Sequence, residues 1–246
     1  MNFKNYWDIF TDKFSSLIIH PQYFIKRYTN NSVKLALQYA KGTLLDVGCG
    51  RMPYKKEFLP CIDKYIGLDH PEVAKYYKGE EKPDIFADST QIPLPSSSCD
   101  TVTCFQVLEH IPEPIKALKE MHRVLKKNGI IIISTIQYYP LHDEPYDFYR
   151  YTKYGLSHLL HQANFVELKH KEEGNIFTLL FQSINIYLMF ILENTSKRDG
   201  QKLITILLAP FFLSVTTLLN LLTFVFLPFD NKSKFRIIHT LVAEKN

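Results

Sequence analysis

The stretch that most limits what this chain can fold into is Leu44-Leu45-Asp46-Val47-Gly48-Cys49-Gly50. An apolar run that ends in an acid, followed by two glycines one residue apart, reads as a buried strand turning sharply into a helix. Glycine suits such a turn because the backbone must pass very close to something. In an open parallel sheet that something is a nucleotide-like ligand lying over the carboxyl ends of the strands. Two further acids repeat the arrangement: Asp69 ends the apolar stretch Tyr65 to Leu68, and Asp88 ends a third strand from Pro83. Three acids at three successive strand ends are hard to obtain by chance.

The ligand follows from what the turn lacks. A dinucleotide loop needs Gly-x-Gly-x-x-Gly to seat a pyrophosphate on a helix N-terminus, and here Pro53 takes the third glycine's place. Asp46 suits an ammonium group, and Asp69 can accept both hydroxyls of a ribose. A ligand with an amino acid end, a ribose and no phosphate is S-adenosylmethionine. Here the sequence resembles the class I S-adenosylmethionine-dependent methyltransferases, whose first motif is similar to Asp46-Val47-Gly48-Cys49-Gly50, although Met52 stands where a third alternate glycine often occurs. The resemblance covers Lys41 to Lys171 and the last strand. It places Gly48, Cys49 and Gly50 against the cofactor, Asp88 on the adenine amine with help from Ser89 or Thr90, and Gln106 facing the methionine portion. Val107-Leu108-Glu109-His110-Ile111 is similar to the family's signature after the fourth strand, with Glu109 and His110 lining the mouth.

The fold expected is α/β: a doubly wound, Rossmann-like, mostly parallel seven-stranded sheet with an antiparallel last strand, plus an apolar helical insertion before that strand. Along the chain, Ser32 is placed to cap a helix from Val33 to Ala40 that stops at Gly42. Strands are expected at Lys64–Asp69, Pro83–Asp88, Asp100–Gln106, Ile130–Ile133, Phe165–His170 and Arg236–Ala243. A helix opened by Pro112 and Pro114 should end at Asn128-Gly129, and Thr152 should cap another. The divisions expected are an N-terminal helical cap over 1–40, a core over 41–172, an apolar insertion over 173–235 and a last strand over 236–246.

From Tyr138 to Tyr154, seven aromatic residues interleave with His142, Asp143, Glu144, Asp147 and Arg150. Such a stretch suits a sugar ring and resembles His-x-x-Pro-Tyr-Asp-Phe-Tyr-Arg-Tyr-Thr segments of methyltransferases from surface polysaccharide gene clusters; a loop packing over the sheet edge reads equally well. A hydroxyl acceptor needs a base for its proton. His110 and His142 are the candidates, with Asp143 orienting a histidine or acting itself. Cys49, Cys61, Cys99 and Cys104 form no CxxC pair, no metal cluster is apparent, and the reaction is expected to be metal-independent.

The insertion is the most apolar part of the chain: Leu203 to Leu227 carries no charge, and about 20 such residues span a bilayer. A single span is excluded if the strands on either side belong to one sheet. Two spans would leave Lys197, Arg198 and Lys202 on the far side, against the usual bias of cations. Pro210 and Asn220 are expected to break the longer run. The expectation is therefore monotopic attachment through 176–230 at the inner face of the cell membrane, with Lys232, Lys234 and Arg236 near anionic headgroups. A dimerisation patch or buried helix layer is the competing reading. A formal net charge of +4 gives no case for nucleic acid, and Met1 to Phe10 lacks the apolar core of an export signal.

The reaction expected is O-methylation of a glycan, glycolipid or related membrane-linked precursor. Methylation of an isoprenoid quinone, a non-catalytic cofactor-binding membrane tether, and a nicotinamide-dependent oxidoreductase are the competing functions.

Overall fold

A computed structural model describes residues 15–76, 82–196 and 202–246. The chain forms two compact units, one of residues 31–172 with 238–246 and one of residues up to 30 with 173–237. The described residues 15–30 thus fall in the same unit as residues 173–237.

The sheet unit has the strands β1 (Thr43–Val47), β2 (Lys64–Asp69), β3 (Ile85–Phe86), β4 (Cys99–Phe105), β5 (Leu125–Ile136), β6 (Phe165–Glu173) and β7 (Ile238–Lys245). Their order is β3-β2-β1-β4-β5-β7-β6. The first five pair in parallel, and β7 runs antiparallel to β5 with Ile132 opposite Val242. This is the expected sheet, with the last strand slipped in between the fifth and sixth. Successive residues of β5 face opposite sides, as a pleated strand requires. Ile131 and Ile133 join one apolar layer with Leu118, Met121 and Leu156, while Ile130 and Ile132 join another with Val33, Leu44 and Phe58.

Two helix boundaries differ from expectation. Helix α1 runs from Tyr23 to Ala36, so Ser32 lies inside it and caps nothing. Its hydroxyl is fully buried and bonds Thr240 Oγ1 at 2.6 Å and Ser134 Oγ at 3.1 Å, because the helix lies against the polar positions of β5 and β7. After the short α2 (Lys55–Phe58), helix α3 (Pro114–Val124) stops before Asn128. Asn128, with φ of 59°, instead sits in an irregular start of β5, where the register steps from Cys99 opposite Leu125 to Thr101 opposite Ile130. The Thr152 cap of α4 (Lys153–Gln162) is present, its hydroxyl accepting from Gly155 N at 3.1 Å.

The second unit is built on α5 (Ile176–Ser196) and α6 (Lys202–Phe226). The expected break at Pro210 and Asn220 does not occur, and α6 runs through both. Asn220 is accommodated because its amide is spent on partners: it accepts from Asn185 Nδ2 at 3.0 Å and donates to the carbonyls of Ile18 and His20 at 2.6 and 3.1 Å. Gln182 likewise donates to the Pro21 carbonyl, and Thr178 bonds Tyr28 at 3.1 Å. Polar side chains therefore face inward here, while Ile206, Leu207 and Phe211 are 64–69% exposed. Lys197 and Arg198, invoked against two spans, lie outside the described residues, as does the side chain of Lys202.

Candidate active site

The glycine turn leaves β1 with two residues in the left-handed region, Gly48 at φ of 71° and Gly50 at φ of 56°. A β-carbon on Gly48 would lie 2.3 Å from Val107 Cγ2, so the turn packs against the second residue after β4. A β-carbon on Gly50 would meet nothing within 4 Å among the described residues, so none of these covers the turn at that point. Gly48 N and Cys49 N both donate to the Leu68 carbonyl, at 2.8 and 3.1 Å, which binds the turn to β2. Cys49 is buried, and burial pushes its thiol up, so it packs beneath the turn.

The three acids do different work. Asp46 is buried, accepting from Thr103 Oγ1 at 2.7 Å and from the Tyr65 hydroxyl. Burial outweighs these bonds and, with Asp69 nearby, pushes its carboxyl up to about 6. Asp69 accepts from Gly50 N at 3.1 Å through Oδ2 and from His70 N at 2.8 Å through Oδ1, tying the end of β2 to the turn. Asp88 lies two residues beyond β3, which is only Ile85–Phe86, and receives both the amide and hydroxyl of Thr90 at 2.8 Å. Ser89 is half-buried beside it. Gln106, at φ of 54°, bonds Ser134 through both its backbone N–H, at 2.7 Å to the carbonyl, and its Nε2, at 2.8 Å to the hydroxyl.

The mouth residues converge from two loops. Glu109, fully buried, accepts from Thr135 Oγ1 at 2.8 Å, and burial pushes its carboxyl up. His110 bonds the Tyr146 carbonyl through Nδ1 at 2.8 Å, and its ring meets that of His142 edge to face at 4.8 Å. Asp143 is exposed, at φ of 51°, in the turn closed by Tyr146 N, and acts on His142 through its charge, with no hydrogen bond among the described residues that would orient the ring. That task falls to Asp147, whose side chain is 1% exposed, lies 3.2 Å from His142 Nδ1 and accepts from His142 N at 3.1 Å. Arg150 forks onto Asp147 at 2.5 and 2.6 Å and donates to the carbonyls of Tyr139, Pro140 and Tyr149, so this pair holds the loop together. The tyrosine hydroxyls are also engaged, Tyr146 on Glu72, Tyr149 on the Pro112 carbonyl and Tyr151 on the Leu108 carbonyl. Tyr146 and Tyr149 are nonetheless exposed, while Tyr151 is buried.

Sequence reasoning gave no role of their own to Tyr65, Thr103, Val107 and Asp147, although Val107 stood in the signature after the fourth strand and Asp147 among the charges of the aromatic stretch. Thr103 had a signal, a polar residue in an apolar strand that lies opposite Asp46 in the β1–β4 register. It also missed that Glu109, His110 and His142 form a cluster whose ligand atoms lie within 4.8 Å of one another, since His142 comes from the next loop.

Residues 45–133 match a family described as a methyltransferase domain. A protein of Mycobacterium tuberculosis described as a probable S-adenosylmethionine-dependent methyltransferase is 28% identical over 156 residues, which are 59% of this chain and 57% of that protein. A ubiquinone biosynthesis O-methyltransferase of Pseudomonas paraeruginosa is 31% identical over 107 residues, 40% of this chain and 46% of its own. The chain thus spans about half the length of these relatives. Among solved structures, an S-adenosylmethionine-dependent methyltransferase from Archaeoglobus fulgidus matches with a TM-score of 0.57 over 98% of this chain and 100% of that one, at 14% identity. The [4+2]-cyclase SpnF matches with a TM-score of 0.55 over 89% and 80%, at 18% identity, so the fold alone does not name the reaction. The glycine turn, the acids at the ends of β1 and β2 and the matched family model make residues 45–133 the centre of a class I S-adenosylmethionine-dependent methyltransferase domain.

Proposed function

We propose that the chain transfers the methyl group of S-adenosylmethionine to a hydroxyl of a glycan, glycolipid or related lipid-linked precursor at a membrane surface. The observation that carries the cofactor half is the tie between Gly50 N and Asp69 Oδ2 at 3.1 Å, at a point of the turn that no described residue covers. It sets a carboxylate at the end of β2, where ribose hydroxyls would lie, next to the turn the cofactor would pass over. Methyl transfer from a sulfonium is an in-line displacement, so the protein chiefly binds, orients and excludes water. As a methyl leaves the cofactor for oxygen, the acceptor's proton must go to a lone pair, and His110, His142 and Glu109 supply lone pairs together.

The acceptor half rests on two features. The exposed rings of Tyr146, Phe148 and Tyr149, in the loop that holds Asp147 and Arg150, suit a sugar ring's C–H surface and hydroxyls. Helices α5 and α6, of 21 and 25 residues, are about 31 and 37 Å long, against a bilayer core of about 30 Å. Their inward amides and outward apolar side chains suit lipid. The proposed location is the inner face of the cell membrane.

A second reading, methylation of an isoprenoid quinone, is favoured by the Pseudomonas relative and by the same apolar helices. Purified protein incubated with labelled S-adenosylmethionine and a lipid extract of the source cell, followed by mass analysis, separates the two by whether a saccharide or a quinone gains the label. Calorimetry should give binding of S-adenosylmethionine and none of NAD; the reverse ends the methyltransferase reading. Flotation with anionic liposomes should carry the protein upward, and protein left at the bottom ends the membrane reading.

A further inference from the structure

The cluster at the mouth has more lone pairs than donors. Glu109 is fully buried; its Oε2 accepts from Thr135, and its Oε1 has no hydrogen-bond partner among the described residues. The His110 Nδ1 faces the Tyr146 carbonyl at 2.8 Å, and a carbonyl only accepts, so Nδ1 carries the proton and Nε2 the lone pair. The His142 Nδ1 faces the Pro140 carbonyl at 3.2 Å and the Arg150-paired Asp147 carboxylate at 3.2 Å, which fixes the same tautomer. Two imidazoles and a carboxylate therefore each carry a lone pair, and one ring nitrogen of each histidine and one carboxylate oxygen lie within 4.8 Å of one another. A second partner on the far nitrogen of each imidazole is the arrangement that holds metal-ligating histidines in place.

We propose that Glu109, His110 and His142 form a binding site for one divalent transition-metal ion, at the carboxyl end of β4. Two imidazoles and one carboxylate are a borderline donor set that suits zinc and its neighbours in the first row, and three protein ligands leave a position open to an oxygen of a second molecule. With an ion bound, the three lone pairs are spent on it, and a proton lost from an oxygen in the open position would go to water and not to the histidines. A tetrahedral ion would bring the ligand atoms to about 3.4 Å apart. The contraction is small for two imidazoles on irregular segments, His110 in a single 3-10 turn and His142 in the loop after β5. The second histidine cluster, His170, Glu172 and His239, is a weaker candidate, because His170 Nε2 and His239 Nδ1 already bond each other at 3.2 Å and His239 Nε2 bonds Gln137.

The test needs no methyl donor, so it stands or falls separately from the methyltransferase reading. Full-length protein stripped with a chelator is titrated with zinc chloride by calorimetry, and cobalt(II) is followed by its visible absorption. Wild type should take up one ion, with cobalt bands of a four- or five-coordinate site. His142→Ala and Glu109→Gln should each weaken uptake at least about tenfold, and Asp147→Asn, which removes the second partner, by about 10- to 100-fold. His239→Ala should leave it unchanged. Wild type that takes up no ion, or a His110→Ala/His142→Ala variant that binds as wild type does, overturns the proposal. In the first case the cluster shares a proton instead. If a variant fails to fold, the cobalt spectrum of wild type still decides between nitrogen ligation and six-coordinate aquo ion.

Discussion

Val107 occupies the space that any side chain at Gly48 would need: its Cγ2 lies 2.3 Å from the position of a β-carbon there. The contact joins the turn after β1 to the second residue after β4, so the two central strands fix the shape of the loop together. Gly48→Ala should be destabilising by about 2–4 kcal/mol, through overpacking and the positive φ. Adding Val107→Ala should recover the overpacking part only. Chemical denaturation of the single and double variants checks this, and full recovery in the double variant would show that the left-handed backbone at Gly48 is not required.

Asp69 holds the turn and faces the proposed ribose. Asp69→Ala should weaken S-adenosylmethionine binding by about 2 kcal/mol, or roughly thirtyfold, the worth of hydrogen bonds to a charged group. Calorimetry reads it directly, and unchanged affinity removes Asp69 from the binding site.

Asp46 gives the sheet unit a pH dependence. Its carboxyl stands at about 6 when folded and at an ordinary 3.8 when unfolded, so folding favours the protonated form. The contribution is fully present below about pH 4 and is lost as the pH rises through about 6, by up to about 3 kcal/mol at 1.4 kcal/mol per unit. Melting temperatures of wild type and Asp46→Asn between pH 4 and 8 should diverge, wild type losing ground as the pH rises. Parallel curves would mean that Asp46 stays ionised throughout.

Two acids five residues or fewer from His142 should behave oppositely. Asp147→Ala leaves Arg150 and His142 without their shared partner and should cut turnover on the acceptor by at least about tenfold, because the loop's geometry goes with it. Asp143→Ala, at an exposed turn, should stay within about 0.5 kcal/mol of wild-type stability and keep its turnover. Steady-state rates on the identified acceptor check both.

Asn220→Leu removes the acceptor of Asn185 and the donor to the Ile18 and His20 carbonyls. The buried groups left behind should destabilise the helical unit by about 1–3 kcal/mol. Limited proteolysis in detergent should show faster cleavage within residues 173–237 and unchanged resistance over 31–172.

What the sequence by itself determined is the order of the sheet's elements, the glycine turn and the acids near it. Those features are local in chain: a buried strand is an apolar run, a left-handed turn asks for glycine, and Thr152 caps the helix it precedes. Tertiary structure alone decided which polar groups meet. Ser32 looked like a cap because serine favours that place, yet burial against Ser134 and Thr240 gave its hydroxyl better partners inside a longer helix. Asn220 looked like a break for a similar reason and was instead paired with Asn185. Asp143 and Asp147 could not be told apart in a row of charges, since only the fold shows which one Arg150 reaches. The cluster of Glu109, His110 and His142 joins two loops that follow different strands, and no spacing within either loop records that meeting.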